Sequence, residues 1–305
     1  MLTDKRLNYD RGISFNPRIG YGFGRVRNVG AVIRAVRLAE RLDALPAEVN
    51  MDDEDILSAA DQFTRYDGYQ QTYDRPEKHF WGDMDDMTRA DLGALESFDM
   101  LYLTDVLDEA IGQRLEGWEV YGGAELNYDN NLMRSETPLN PPSLDSRNQF
   151  VNKSVGAFVN SRWYTNTSLQ QQWGLIGNVS LQYPLGDQNS VSAERVVRLE
   201  TGINWLWNIT DRFLADAALW NIYSRTKYSG ASIGGMSADY SEWNNNLYLV
   251  TNFSYFIENS LSLTFSVDAA LRHRGDTQTD QTLNNRVFNW GTTLGLRYYF
   301  NRNLY

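Results

Sequence analysis

The chain has 305 residues, a net charge of -11 and no cysteine. These exclude disulfide frameworks, thiolate metal sites and cysteine nucleophiles, and argue against nucleic acid as the main partner, because phosphate binding needs a basic surface. Mean hydropathy is -0.50, and no apolar run is long enough for a transmembrane helix. The opening MLTDKRLNYD has no apolar signal core, so the chain is expected to be either not exported or a mature form with its signal removed and a start Met added.

GISFNPRIGYGFGR comes first. Ile13, Phe15, Ile19, Tyr21 and Phe23 alternate with small or polar residues, which predicts one isolated strand. GYGFGR is no nucleotide loop, because no helix-opening GxGxxG follows a buried strand. The stretch suits an edge strand of its own domain, with augmentation of a partner's sheet as the weaker option. A helical period then holds to about residue 116. In VRNVGAVIRAVRLAERLDAL, Val29, Val32, Ile33, Val36 and Leu45 share one stripe and Arg34, Arg37 and Arg41 another. The arginines are expected on a solvated face salted by acids, rather than on anionic head groups. Pro46 stops this helix. NMDDEDILSAADQF opens a second, with carboxylates at the positive dipole end. Phe63, Tyr66, Tyr69 and Tyr73 predict helix–helix packing, joined by His79, Phe80 and Trp81. GDMDDM (82–87) lacks EF-hand spacing and reads as a helix start, not a cation site. SFDMLYLTDVLDEAIGQRL predicts a third helical stretch, capped by Ser97 and ending near Gly117.

From Trp118 the period becomes two. Val120, Ala124 and Leu126 oppose Glu119, Gly123 and Glu125; Val155, Val159 and Trp163 oppose Ser154, Asn160 and Arg162. The alternation recurs at 173–183, 197–207, 261–272 and 289–300. It blurs at 214–223, where Trp220 and Ile222 share the face of Asp216 and predict a bulge, and at 243–256 through Tyr248 and Val250. Short turns at 165–168, 208–211 and 257–260 alternate with longer polar loops at 129–148, 184–191, 228–240 and 275–285. Short and long connections along eight strands predict an up-and-down meander of the outer-membrane kind, with strands that outrun the roughly 9–11 residues needed to cross a bilayer.

A soluble barrel or sandwich would point its apolar face inward, leaving Lys and Glu on the other. Here the other face is Gly, Ser, Thr, Asn and Gln with scattered ions, which suits a narrow filled lumen. Trp118, Trp163, Trp205, Trp207 and Tyr255 lie near strand ends, as an interfacial aromatic girdle would. The ending LGLRYYF, with Leu294, Leu296, Tyr298 and Phe300 on one face, resembles the C-terminal signal strand of Gram-negative outer-membrane proteins, although five residues follow the Phe. That resemblance implies recognition by the barrel-assembly machinery. The layout of 118–300 resembles small eight-stranded OmpA/OmpX-type barrels, and GAELNYDNNLMRS is similar to the first strand of barrels from exopolysaccharide operons. Residues 1–117 resemble no known family, and no peptidoglycan-binding signature of the OmpA periplasmic domain is present.

The polar face collects Glu119, Glu125, Arg162, Arg198, Glu200, Asp216, Asp268, Arg272 and Arg297. Charges in a narrow barrel must pair, and the interior of eight strands is just filled by side chains. An ion-paired plug is therefore expected over a gate or proton path, with Glu119 reaching Arg297 across the closing seam. His273 could serve a rim enzyme acting on lipid, but nothing completes a dyad or triad, and parity puts it on the lipid side. The expectation is a mainly β protein: an eight-stranded antiparallel transmembrane β-barrel (118–305) in the outer membrane, preceded by a mainly helical periplasmic domain (1–117). It is expected to be non-enzymatic and without cofactor or metal. Its expected partners are outer-membrane lipid, the assembly machinery and an envelope or polysaccharide-export protein docked by 1–117. A narrow passive pore is the alternative, and a lipid-modifying enzyme a more distant one.

Overall fold

The computed structural model describes residues 7–45, 50–89, 91–109, 113–136, 146–185, 192–210, 212–233, 236–258, 261–278 and 281–298. In chain order these form β1 (Leu7–Phe15), β2 (Arg18–Asn28), α1 (Gly30–Asp43), α2 (Asp53–Thr72), α3 (Pro76–Met87) and α4 (Ser97–Asp108). Then come β3 (Leu115–Glu136), β4 (Ser146–Asn166), β5 (Gln171–Pro184), β6 (Ser192–Thr210), β7 (Phe213–Ile233), β8 (Met236–Glu258), β9 (Leu261–Gln278) and β10 (Gln281–Tyr298). The protein is mainly β: all ten strands belong to one antiparallel sheet.

Strands β3 to β10 pair with their chain neighbours as a meander. The predicted isolated strand is not isolated. β1 and β2 share one register along the outer edge of β3, with Leu7 facing Glu136, Phe15 facing Tyr128, Arg18 facing Glu125 and Asn28 facing Leu115. The ladder pauses only at Asn16 and Pro17, where proline has no N–H to donate; the Pro17 carbonyl still accepts from Leu126 N at 3.1 Å. Residues 7–28 thus behave as one long strand, and the sheet has nine strand positions instead of eight. No pairing among the described residues joins β10 to β1 or β2. Because Asn28 and Leu115 are partners, the helices between them occupy a hairpin connection of the sheet.

Four helices form one small core. Leu38 and Leu42 of α1, Ala59 and Phe63 of α2, Phe80 and Met84 of α3, and Leu103 and Val106 of α4 are all buried together. The buried stripe of α1 therefore runs through Ile33, Leu38 and Leu42, while Val32 lies outside it. The aromatic series packs as expected, with Phe63, Tyr66 and Tyr69 around Phe80 at 5.4, 5.0 and 5.9 Å. His79 is the exception: it is exposed and stacks on Tyr73 at 4.0 Å. GDMDDM ends a helix instead of starting one, because Pro76 already opens α3. Its carboxylates serve the fold, Asp85 accepting from Leu92 N at 2.7 Å and Asp83 from Tyr69 Oη. Ser97 is the first residue inside α4, and Glu96 is its N-cap.

The acidic start of α2 is a capping box, with Asp52 accepting from Asp55 N at 2.9 Å and Asp55 from Asp52 N at 3.2 Å. The Asp55 N–H bond holds the Asp52 carboxyl below its ordinary value. A depressed folded pKa gives stability that is present above the unfolded value and lost as pH falls through the folded one. Thermal stability of the helices is expected to hold from neutrality to about pH 5 and fall below roughly pH 4. Asp52→Asn keeps the cap but should flatten the acid limb of a circular-dichroism melt series; an unchanged limb would remove Asp52 as its source.

Strand lengths depart from expectation at the end bearing the long connections. The stretches 228–240 and 275–285, read as loops, are mostly strand: β7 runs to Ile233, β8 starts at Met236, β9 runs to Gln278 and β10 starts at Gln281. Alternation reports a strand only where one face must be apolar. These tips are rich in Gly, Ser, Thr, Asp and Gln, so no apolar alternation marks them while the ladder continues.

Candidate functional site

Register sorts the sheet into two faces. One carries Trp118, Val159, Leu175, Leu249, Leu263 and Leu294, exposed from 38% at Leu249 to 71% at Leu294. The other buries Glu125, Phe158 and Ser262 at 3%, 7% and 0%. Large apolar side chains are thus exposed on one face while charged and polar ones are buried on the other, and no layer of the described chain covers the apolar face.

Near the short turns the apolar face carries a band of rings. Trp118 lies opposite Trp163; Trp173 stacks on Trp205 at 5.8 Å and Trp205 meets Trp207 at 5.4 Å. The band continues through Phe213, Phe253 and Phe265, with Tyr255 opposite Phe213. Ala215, opposite both Trp207 and Phe253, is 1% exposed beneath them. These rings sit at one level because each strand enters its short turn a few residues away.

On the polar face some of the nine expected charges meet. Glu119 pairs with Arg162 at 2.5 Å, their strand positions being directly opposed. Glu125 is held by Arg18 at 3.1 Å and by Gln182 Nε2, which donates at 2.7 Å. Asp216 accepts from Asn252 at 2.8 Å, and Arg198 lies 3.8 Å from Glu200. Asp268 faces Gly291, Arg272 faces Val287 and Arg297 faces Ser262. The expected seam pair Glu119–Arg297 is not formed: β2 lies on that edge of β3, with Gly24 opposite Glu119.

The expected bulge at 214–223 is also absent, since the β6–β7 ladder runs unbroken from Arg195 to Asn208. Trp220 fits on the polar face because it lies over Gly202, where a Cβ would stand 2.6 Å from its ring. Tyr164 covers Gly174 in the same way. At the upper end an open polar cavity of about 480 Å³ is lined by Asn16, Asn127, Asp129, Asn152, Gln182 and Tyr228 among others. Amides and hydroxyls of this kind can solvate a polar ligand. His273 lies on the apolar face with its ring edge-on to Trp243 at 4.6 Å. Leu294, Leu296 and Tyr298 project from the apolar face of β10; Phe300 lies outside the described residues.

Beside the β4–β5 turn the arginine stripe of α1 departs from its expected solvated role. Arg37 and Arg41 are buried and both pair with Glu109, Arg41 at 2.7 Å. Arg37 Nη2 reaches the Leu169 carbonyl in the β4–β5 turn at 3.4 Å, and Arg41 donates to the Tyr102 carbonyl. Arg114, fully buried just before β3, donates to the same Leu169 carbonyl at 3.1 Å and to Asn208 Oδ1 at 3.2 Å. Burial first, and the Arg37 charge second, bring the Arg114 pKa down to about 10. Leu115 N donates to Gln172 Oε1 at 2.6 Å. This clamp ties the helices and the start of β3 to the β4–β5 turn and to the neighbouring ends of β5 and β6. Sequence spacing showed the arginines on one helix face; it carried no sign of Glu109 beyond α4 or of the Leu169 and Tyr102 carbonyls that Arg37 and Arg41 reach.

No protein-family model matches the chain, and no curated protein sequence matches it significantly.

Proposed function

We propose that the chain is a non-enzymatic β-barrel membrane protein of the Gram-negative outer-membrane type, which anchors a helical insert at its periplasmic rim. The observation that carries this reading is the bare apolar face. Soluble monomers rarely expose contiguous apolar patches beyond a few hundred Å², whereas here apolar residues stand outward on strand after strand from Ile19 to Tyr298. Lipid is the solvent in which such a face costs nothing. The ring band then lies at one membrane interface, and the ion-paired polar face fills the lumen. The C-terminal strand provides the assembly signal implied by its resemblance.

The helices act as the docking module. On α4, Phe98 and Leu101 are 82% and 63% exposed, which suits contact with an envelope protein, a polysaccharide-export component being the class the resemblance implies. Membranes carrying the protein, run on SDS gels with and without boiling, should show a shift in apparent mass. A soluble protein without a shift would overturn the reading. The upper polar cavity favours a second reading, a narrow passive pore, and steady conductance in planar bilayers would establish it.

A further inference from the structure

We propose that the sheet closes through a parallel seam between the N-terminal strand, residues 7–28, and β10, giving a barrel of nine strand positions. This rests on the membrane reading above. In hydrocarbon every backbone polar group needs a partner, so a spanning sheet cannot keep open edges. The described sheet has two, and exposure is concentrated on them: β2 and β10 are exposed at almost every position on both faces.

Direction decides how these edges can meet. Each step from β2 to β3 and onward to β10 is antiparallel. With nine positions, the first and last strands therefore run the same way, and their pairing is parallel. An antiparallel closure of β10 on β3, as in an eight-stranded barrel, would have to strip β1 and β2 from the whole length of β3, and with them the Arg18–Glu125 ion pair, which buries the carboxylate to 1% exposure.

The N-terminal strand also has the make-up of a barrel wall. Ile19, Tyr21 and Phe23 stand outward at 78%, 73% and 65% exposure, while Gly20, Gly22 and Gly24 line the inner face. β10 matches it, with Leu294 and Leu296 outward and Gly291 and Gly295 inward. A glycine-lined seam leaves room for side chains of the flanking strands, Glu119 beside Gly24 and Asp268 beside Gly291.

A second copy could supply the same parallel edge, since copies in one membrane share an orientation. The ring would then be twice as long and its lumen wide. The burial of Phe158 and Tyr164 on the inner face, at 7% and 8%, suits instead a narrow interior filled by side chains, the condition reached near eight strands.

The protein contains no cysteine, so engineered pairs can be read without background. Tyr21→Cys and Phe23→Cys are each combined with Trp290→Cys, Thr292→Cys, Leu294→Cys or Leu296→Cys in the full chain, and membranes are treated with a short bis-maleimide. Phe265→Cys with Leu294→Cys, direct partners in the β9–β10 ladder, is the control. The expected result is an intramolecular cross-link in most monomers. Moving the first cysteine from Tyr21 to Phe23 should move its best partner in β10 toward the C-terminus, as parallel strands require. Cross-links only between chains would overturn the proposal in favour of a shared seam. Cross-links from the β10 cysteines to Val120→Cys in β3 would overturn it in favour of eight strands. A cross-linked control with no seam product in a heat-shifting protein would mean that the edges do not meet. Loss of the heat shift itself would strike the membrane reading, which keeps the two failures apart.

Discussion

Replacing Glu109 by Gln is expected to free the helices from the sheet while leaving the strands assembled. The Glu109 side chain is 3% exposed, and the arginine side chains it joins, Arg37 and Arg41, are 10% exposed each. A buried ion pair contributes little beyond its apolar equivalent, because desolvation offsets the attraction. Breaking one is another matter: removing a single partner leaves uncompensated buried charge and costs about 3–5 kcal/mol. Here two guanidinium groups lose their shared carboxylate, with the buried Arg114 close enough for Arg37 to lower its pKa. Against a domain stability of roughly 5–15 kcal/mol, that is enough to loosen a four-helix insert.

Limited proteolysis should cut Glu109→Gln within 30–108 many times faster than the parent protein, with the heat shift of the sheet retained. Glu109→Asp, which keeps the charge, should restore much of the protection. Equal cleavage of Glu109→Gln and the parent protein would show that the clamp does not hold the insert.

The second large effect is expected at Gly123→Ala. A Cβ there would stand 1.9 Å from the Ile19 carbonyl oxygen and 2.5 Å from Gly20 Cα. Both are backbone atoms of the paired strand, so no side chain can swing away. Strand β2 must move off β3, at an overpacking cost of about 1–3 kcal/mol or more. Amide hydrogens of residues 18–28 should then exchange faster, while the β8–β9 ladder keeps its protection. Gly68→Ala, in the C-terminal part of α2 with nothing within 4 Å of its Cβ, is the contrast. It should be stabilising by about 1 kcal/mol, the usual gain from glycine to alanine inside a helix. If exchange at 18–28 were unchanged in Gly123→Ala, the N-terminal strand would not be seated in the sheet as described.

What the chain encodes locally was legible. Side chains alternate on an extended backbone whatever its partner, so Leu261, Leu263 and Phe265 could be assigned to one face and Ser262 and Thr264 to the other before any neighbour was known. The acidic start of α2 and the aromatic packing around Phe80 are legible for the same reason: each lies within a few turns of helix or a single short connection. Ambiguity at Trp220 had a different origin. Its fit depends on Gly202 of the adjacent strand, and alternation within β7 alone cannot show that an inward ring has a glycine to cover.

Tertiary structure decided the pairings between distant segments. Ile19, Tyr21 and Phe23 announce a strand, yet nothing in GYGFGR names β3 as its partner, because a backbone ladder is nearly blind to sequence and β3 begins beyond the helices. Arg37 and Arg41 read as solvated because charge is normally exposed; only the approach of Glu109 and of the Leu169 and Tyr102 carbonyls makes their burial tolerable. The tips of β7 to β10 escaped for a third reason, since a backbone ladder can form without a continuous apolar face and then leaves no periodic mark. The sequence by itself determined which side of most strands is apolar and where α2 begins. Which strands meet, and which charges are buried when they do, was decided by long-range contacts whose partners lie on separate elements.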